Sequence, residues 1–531
     1  MARFSDEFAG GQARIEALAE LSRPLTPIRA LLENAPKSGF LSTEDAASLI
    51  TARRDASARA EVEAAAKRAR AQRAGNVVEF IIPVYLTSFC QNDCLYCGYR
   101  KSNPVAERVR LSLDSLAQEL DLILSWGHRQ IELVLSDDPE LGARELIPYV
   151  ELTRRKLEEA GGGVVALCSP VYEETDYRRL RAAGLDWVVE WQETYHQPHF
   201  DRWHTPGSPK RHYEARLDLW DTTIAAGLKQ IGMGVLLGLY DWRFDVLAVI
   251  EHGNYLRRTY GIEPHAIGIP RLKPARGVLA SQKPSRFAVS DDDFRLIVSL
   301  YHLAFPHSRL FFNTRESYEL NLSLVAGGDL FTVDCETLPG GYLRKHLPGQ
   351  FSIHYYPPRR EVVEALRQRG FASRYLAEEK ERHADGLDLE HAAPAPSFSI
   401  DDWARQHDEI LERVTSFERD LADLESMPPE KRREAALSLR RIIEFFQSTA
   451  IEHCRLAEKY LTAGLPEPQR QALVQYHERF GMDLDKFERQ IVSYELSGDP
   501  TVLLTLGARI CREFRDHLAS ETRIESTHIR A

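Results

Sequence analysis

The chain has 531 residues, 43% of them hydrophobic, with a formal net charge of −11 and a pI near 6.0. The length exceeds one ordinary domain, and the acidic balance excludes a nucleic-acid role built on bulk electrostatics. Seven cysteines, three of them clustered, do not make a disulfide framework and fit a reducing cytoplasm, while the lack of an apolar leader or of an 18-residue apolar run argues against secretion and a membrane span.

Residues 1–75 read as a helical N-terminal extension, with N-cap chemistry at Ser42-Thr-Glu-Asp and apolar anchors at Leu49 and Ile50. From residue 77 the pattern alternates. Short apolar runs fall at 78–86, 130–135, 163–168, 186–191, 230–237, 265–270, 309–313 and 329–333. Helical stretches separate them near 112–126, 143–160, 174–183, 213–226, 243–260, 290–304 and 316–326. Strands alternating with helices predict an α/β fold, a (β/α)8 TIM-type barrel over 76–345. Residues 346–400 form a mixed connector, with a Pro- and Ala-rich linker at 392–397. The stretch 401–531 is charged, poor in glycine and helical in period. Its stripes Leu439, Ile442, Ile443, Phe446 and Leu503, Leu506, Ile510, Phe514 predict a helical C-terminal domain suited to packing, dimerisation or a protein partner.

A barrel of this kind places its site at the C-terminal ends of the strands. The first strand leads into Cys90-Gln-Asn-Asp-Cys94-Leu-Tyr96-Cys97. Three thiolates in a C-x3-C-x2-C array suit a [4Fe–4S] cluster with one iron left open, and an open iron chelates a ligand such as S-adenosylmethionine. A structural zinc site would need a fourth ligand, which no neighbouring His or Cys supplies. The other strands end at Ser136-Asp137-Asp138, Cys168-Ser169, Gln192-Glu193, Tyr240-Asp241, Arg271, Asn313-Thr314-Arg315-Glu316-Ser317 and Asp334-Cys335-Glu336. Arg315 is the candidate for binding a substrate carboxylate, because a guanidinium fork matches that anion. Its alternative is a surface salt bridge to Glu316 or Glu319. Ser317 either binds the same head group or caps a helix. Cys335 is either an inert buried thiol or a site residue. Cys168, Cys454 and Cys511 read as packing residues.

The cysteine array, with Tyr96 before its last cysteine, resembles the radical S-adenosylmethionine (SAM) superfamily. Further stretches resemble its aromatic amino-acid lyase branch, which holds the tyrosine lyases of thiamine biosynthesis and hydrogenase maturation and the tryptophan lyases. They include Tyr85-Leu-Thr-Ser-Phe-Cys90, Gln192-Glu-Thr-Tyr-His196, Gly238-Leu-Tyr-Asp-Trp-Arg243, Pro270-Arg271, Thr314-Arg-Glu-Ser317 and Pro339-Gly-Gly-Tyr342. The resemblance implies reductive cleavage of SAM in the cytoplasm, with an electron from a reductant such as flavodoxin or ferredoxin. The radical then acts on a free amino acid for C–C cleavage or rearrangement. It also implies a SAM site of Tyr96, Asp137, Asp138, Ser169, Glu193 and Arg271, with a helix cap as the alternative for the two aspartates. Radical chemistry on another small molecule, or a non-catalytic Fe–S assembly role, are the competing readings. Two departures bear on the substrate. No CxxC follows residue 97, so a second cluster is not expected, and His265, which matches a histidine of that second site, reads as a pocket or core residue. The eighth strand ends in Asp334-Cys335-Glu336 where the lyases carry small residues.

Overall fold

The computed structural model describes residues 3–38, 40–282, 285–343, 349–354, 356–376, 400–424 and 500–528, with single positions between 428 and 491. The chain divides into two units, Met1–Arg382 and His383–Ala531.

In the first unit ten strands form one all-parallel sheet: β1 (Val77–Phe80), β2 (Ile82–Thr87), β3 (Gln130–Leu135), β4 (Val164–Cys168), β5 (Trp187–Val189), β6 (Ile231–Gly234), β7 (Ala266–Gly268), β8 (Arg309–Phe312), β9 (Leu330–Phe331) and β10 (Ala372–Arg374). From β2 to β9 the strands pair in chain order, as successive right-handed crossovers require. The first strand expected from sequence is one stave broken at Ile81. Its lower half, β1, pairs with β9, and its upper half, β2, pairs with β3. This double use wraps the sheet into a barrel. β10, which carries no apolar alternation, was not foreseen; it pairs beside β1 at the N-terminal end.

The helices follow the expected spacing, with differences. The stretch near 213–226 is two short helices, Tyr213–Leu217 and Leu219–Ala225, and an unforeseen helix, Gln197–Trp203, follows the fourth stave. Serine caps start several helices, in the extension and in the crossovers. Ser42, Ser112 and Ser290 each accept a bond from the backbone N–H three residues on. Inside the barrel, Ile81, Ala166, Trp187, Val189, Ala266, Phe311 and Leu330 form an apolar plug that closes the lower end. Outside it, the helices and the N-terminal extension share one continuous core.

Asp329, at the foot of β9, ties the extension to the barrel. It is fully buried, accepts from Arg70 at 2.9 Å, bonds His302 at 3.1 Å, and takes the backbone N–H groups of Leu310 and Ala326. Burial raises the Asp329 pKa, but His302 and Arg70 outweigh it and hold the carboxyl below its ordinary value.

In the second unit, helices Ile400–Asp423 and Thr501–His528 bury Ile410, Val414, Phe417, Leu421, Leu503, Ile510, Cys511 and Phe514 together. Leu439, Ile442, Ile443 and Phe446 join this core, as their stripe predicts. The linker 392–397 and Cys454 lie outside the described residues.

Asp329→Ala leaves the Arg70 guanidinium buried without its carboxylate. A loss of roughly 3–5 kcal/mol is expected, read as a lower denaturation midpoint in urea. Because the folded-state pKa of Asp329 lies below the unfolded one, its contribution is complete above the ordinary carboxylate range. It is lost as pH falls through the folded value, so the variant's stability should fall less steeply in acid than that of wild type.

Candidate functional site

The C-terminal mouth of the barrel holds a cavity of about 430 Å³. Cys90, Cys94 and Cys97 all line it, with Tyr96, Asp137, Ser169, Glu193, Arg315 and Cys335. Asp138, Arg271 and Ser317 stand off its wall.

The loop carrying the cysteines is braced on every side. Asp137 accepts from the side chains of Gln91 and Asn92, each at 2.9 Å, and its carbonyl accepts the Gln91 N–H. Asn92 in turn accepts from the Lys210 backbone at 2.8 Å. Asp93 takes both arms of Arg100 at 2.7 Å, and these bonds hold its carboxyl far below the usual carboxylate range. Gly98 passes so close to the chain at Gln350 that a Cβ would lie 2.6 Å from that carbonyl oxygen. The donor set fits an iron–sulfur cluster, with three soft sulfurs lining one cavity. Burial, then Cys97, pushes the Cys90 thiol up to about 11, and burial raises Cys94 further. Such thiols give up their protons only to a strongly bound metal. The Gln350 amide donates to the Cys97 sulfur at 3.5 Å, a contact of the kind that tunes cluster potential.

Beside the cysteines lies a buried charge network. Lys210 donates to Glu193 at 2.6 Å, and Arg216 pairs with Glu190. Burial raises the Glu193 pKa, but Lys210 and Arg216 outweigh it and keep the residue ionised. Glu193 adopts a left-handed backbone, φ 69°, a conformation that a non-glycine residue holds only under constraint from its surroundings. The Tyr96 hydroxyl bonds His204 at 2.8 Å; burial, then Lys210, lowers that histidine to about 3, so it stays neutral.

Arg315 faces the cavity. Its guanidinium lies 3.4 Å over the Phe351 ring and, among the described residues, has no hydrogen-bond or ion-pair partner. Burial holds its pKa below the ordinary value. Cys335 shares this corner, with burial and then nearby Glu336 and Glu132 pushing its thiol up to about 12.

The remaining sequence candidates have other partners. Arg110 clamps Asp138 through two bonds of 2.7 Å, and Thr87 donates to it at 2.6 Å. Arg271 pairs with Glu316 and with Asp291. Ser317 caps the helix Tyr318–Leu324, accepting from Leu320 at 3.2 Å. Ser169 lines the cavity, but its hydroxyl donates to the Pro170 carbonyl at 3.0 Å. Asp334 turns out of the barrel at φ 55° and bonds His128 at 3.1 Å. His265 precedes β7 at the N-terminal end, against Trp187 and Arg309 and away from the cavity. Lys210 and Arg216, beyond the fourth stave, escaped sequence analysis because nothing local marks them. Glu132 and Glu190 did leave a signal: each is an acid inside an apolar strand run.

The family model for the radical SAM superfamily matches residues 84–248. The 2-iminoacetate synthase of Escherichia coli K12 is 32% identical over 310 residues, covering 57% of this chain and 79% of that protein. The chain belongs to the radical SAM superfamily. A crystal structure of HydG, a maturase of the [FeFe]-hydrogenase, superposes on this radical SAM enzyme with a TM-score of 0.65 at 27% identity, over 68% of this chain and 80% of that one. The 3-methylornithine synthase of Methanosarcina acetivorans is 27% identical over 152 residues, 28% of this chain and 42% of that protein. The 2-iminoacetate synthase and HydG match the lyase branch that the Gln192–His196 and Thr314–Ser317 stretches point to. No helix among the described residues is long and apolar enough to cross a membrane.

Replacing Cys90, Cys94 and Cys97 together with alanine should abolish the iron and sulfide of anaerobically reconstituted protein, expected at about four each per chain in wild type. Iron and sulfide analysis checks this, and a stable cluster persisting in the triple variant contradicts it.

Proposed function

We propose that this radical SAM enzyme holds a [4Fe–4S] cluster on Cys90, Cys94 and Cys97 and acts on a free amino acid, cleaving or rearranging a carbon–carbon bond. The group bound there supplies, with S-adenosylmethionine and one electron from a flavodoxin- or ferredoxin-like reductant, a 5′-deoxyadenosyl radical for hydrogen abstraction. The chain's own residues position what reacts.

The observation that carries the amino-acid reading is Arg315. A desolvated guanidinium without a partner is costly, and this one lies in the same cavity as the three cysteines. A planar fork in that setting suits a carboxylate, bound through two parallel hydrogen bonds. Phe351 beneath the guanidinium fixes its plane. Glu193, kept ionised by Lys210, and Tyr96, fixed through His204, border the cysteine side of the cavity, where they suit the ribose and adenine of SAM. Asp137 acts there through Gln91 and Asn92, holding the cysteine loop in shape. Cys335, beside Arg315, belongs to the substrate wall. Relatives named for a 2-iminoacetate and for a 3-methylornithine product support chemistry on amino-acid-derived carbon skeletons. The stretch 401–531 serves packing, self-association or a partner protein; its apolar stripes form a core of their own.

Arg315→Ala should retain its iron and still bind SAM, yet lose amino-acid affinity by roughly a hundredfold or more, the scale of breaking one side of a buried charge pair. The measurement is 5′-deoxyadenosine formed against amino-acid concentration, beside iron content and SAM binding. If Arg315→Ala responds to amino acids as wild type does, the carboxylate site is misassigned.

A further inference from the structure

The floor of the cavity carries a second group with no partner. Glu132 occupies the third position of β3, is 5% exposed, and lines the cavity from inside the barrel. Among the described residues its carboxyl makes no hydrogen bond and no ion pair. The neighbouring acid, Glu190, has its charge met by Arg216, to which it bonds, and also accepts weakly from the Cys168 thiol at 3.9 Å. Glu132 has no such cation. Burial, then Glu190, pushes its carboxyl up to about 8. The Thr332 hydroxyl, on a residue that also lines the cavity, is buried and has no hydrogen-bond partner among the described residues.

Unpaired buried polar groups cost stability and return nothing to the fold. Their depth says what they are for. Glu132 lies three residues below the end of β3 at Leu135, about 10 Å along the strand at 3.3 Å per residue, and Asp137, just beyond that end, bonds the cysteine loop. Arg315 follows the end of β8, at the rim. The cavity thus has a cation at its rim and an acid at its floor, with Tyr85, Trp191 and Phe311 along the wall. Trp191 is held in place by Gly268, where a Cβ would collide with its ring. An amino acid whose carboxylate meets Arg315 extends its side chain toward that floor.

We propose that Glu132 reads the far end of the substrate: its carboxyl accepts a hydrogen bond from an N–H or O–H group at the tip of the amino acid's side chain. This inference rests on the amino-acid reading of the site. It makes Glu132 a specificity-determining residue and excludes substrates with wholly apolar side chains. One carboxyl oxygen accepts whether the group is ionised or neutral, so recognition does not hinge on its protonation. A phenol and an amine present the same donor chemistry.

The test is equilibrium binding to the anaerobically reconstituted holoenzyme with SAM and without reductant, using tyrosine against phenylalanine and lysine against norleucine. Wild type should prefer the donor-bearing member of one pair by at least about tenfold, the worth of one buried hydrogen bond, and the pair that shows the step tells phenol from amine. Glu132→Leu should shrink that preference to less than about threefold, Glu132→Gln should keep part of it, and the melting temperature of Glu132→Leu should hold or rise. Equal binding within both pairs by wild type overturns the inference and leaves the amino-acid reading standing. An undiminished preference in Glu132→Leu, or a fall in its melting temperature, assigns Glu132 to the fold and overturns it as well. Failure of wild type to bind any of the four overturns both readings together.

Discussion

Desolvation of charge governs the mouth of this barrel. An ionised group taken out of water needs a partner or a shifted pKa. Two carboxylates there solve the problem internally: Glu193 takes Lys210 and Glu190 takes Arg216. Arg315 and Glu132 do not, and both line one cavity. A cation and an acid left without partners describe a zwitterionic or polar-tipped ligand more closely than any shape argument does. They also explain why the wall between them is aromatic, since rings fill volume and shield charge without competing for hydrogen bonds.

The cysteine loop depends on the same economy of partners. A chain that leaves a strand and presents three thiols to one point cannot use regular secondary structure to satisfy its backbone. Groups from elsewhere hold it instead: the carbonyls of Asp137 and Gln350 accept the N–H groups of Gln91 and Gly98, the Ser208 hydroxyl accepts the Asp93 N–H, the Asp137 carboxylate takes the Gln91 and Asn92 side chains, and the Lys210 N–H donates to the Asn92 side chain. Asp137 therefore has a positioning role that its sequence neighbour Asp138 does not share. Asp138 braces Arg110 and Thr87 behind the wall. The two adjacent aspartates lie just past the end of β3, and their different partners divide their roles.

What the sequence by itself determined is the part fixed by local pattern. Strand and helix periods were enough to place eight staves and most of the helices between them. The C-x3-C-x2-C spacing was enough to identify the sulfur ligands, because three donors within eight residues meet in space whatever the fold around them. The apolar stripes of the C-terminal stretch likewise predict its helices and their buried faces. Tertiary structure decided everything that depends on residues distant in the chain. It broke the first stave at Ile81, because one strand must pair below with β9 and above with β3, and it recruited β10, whose residues carry no alternation. It turned Arg271 toward Glu316 and Asp291 while leaving Arg315, so near in sequence to that same Glu316, without an acid. The pairing of Lys210 with Glu193, and the lack of any partner for Glu132, are likewise invisible in sequence. Whether a buried charge is neutralised is a property of the space around it, and only the closed barrel defines that space.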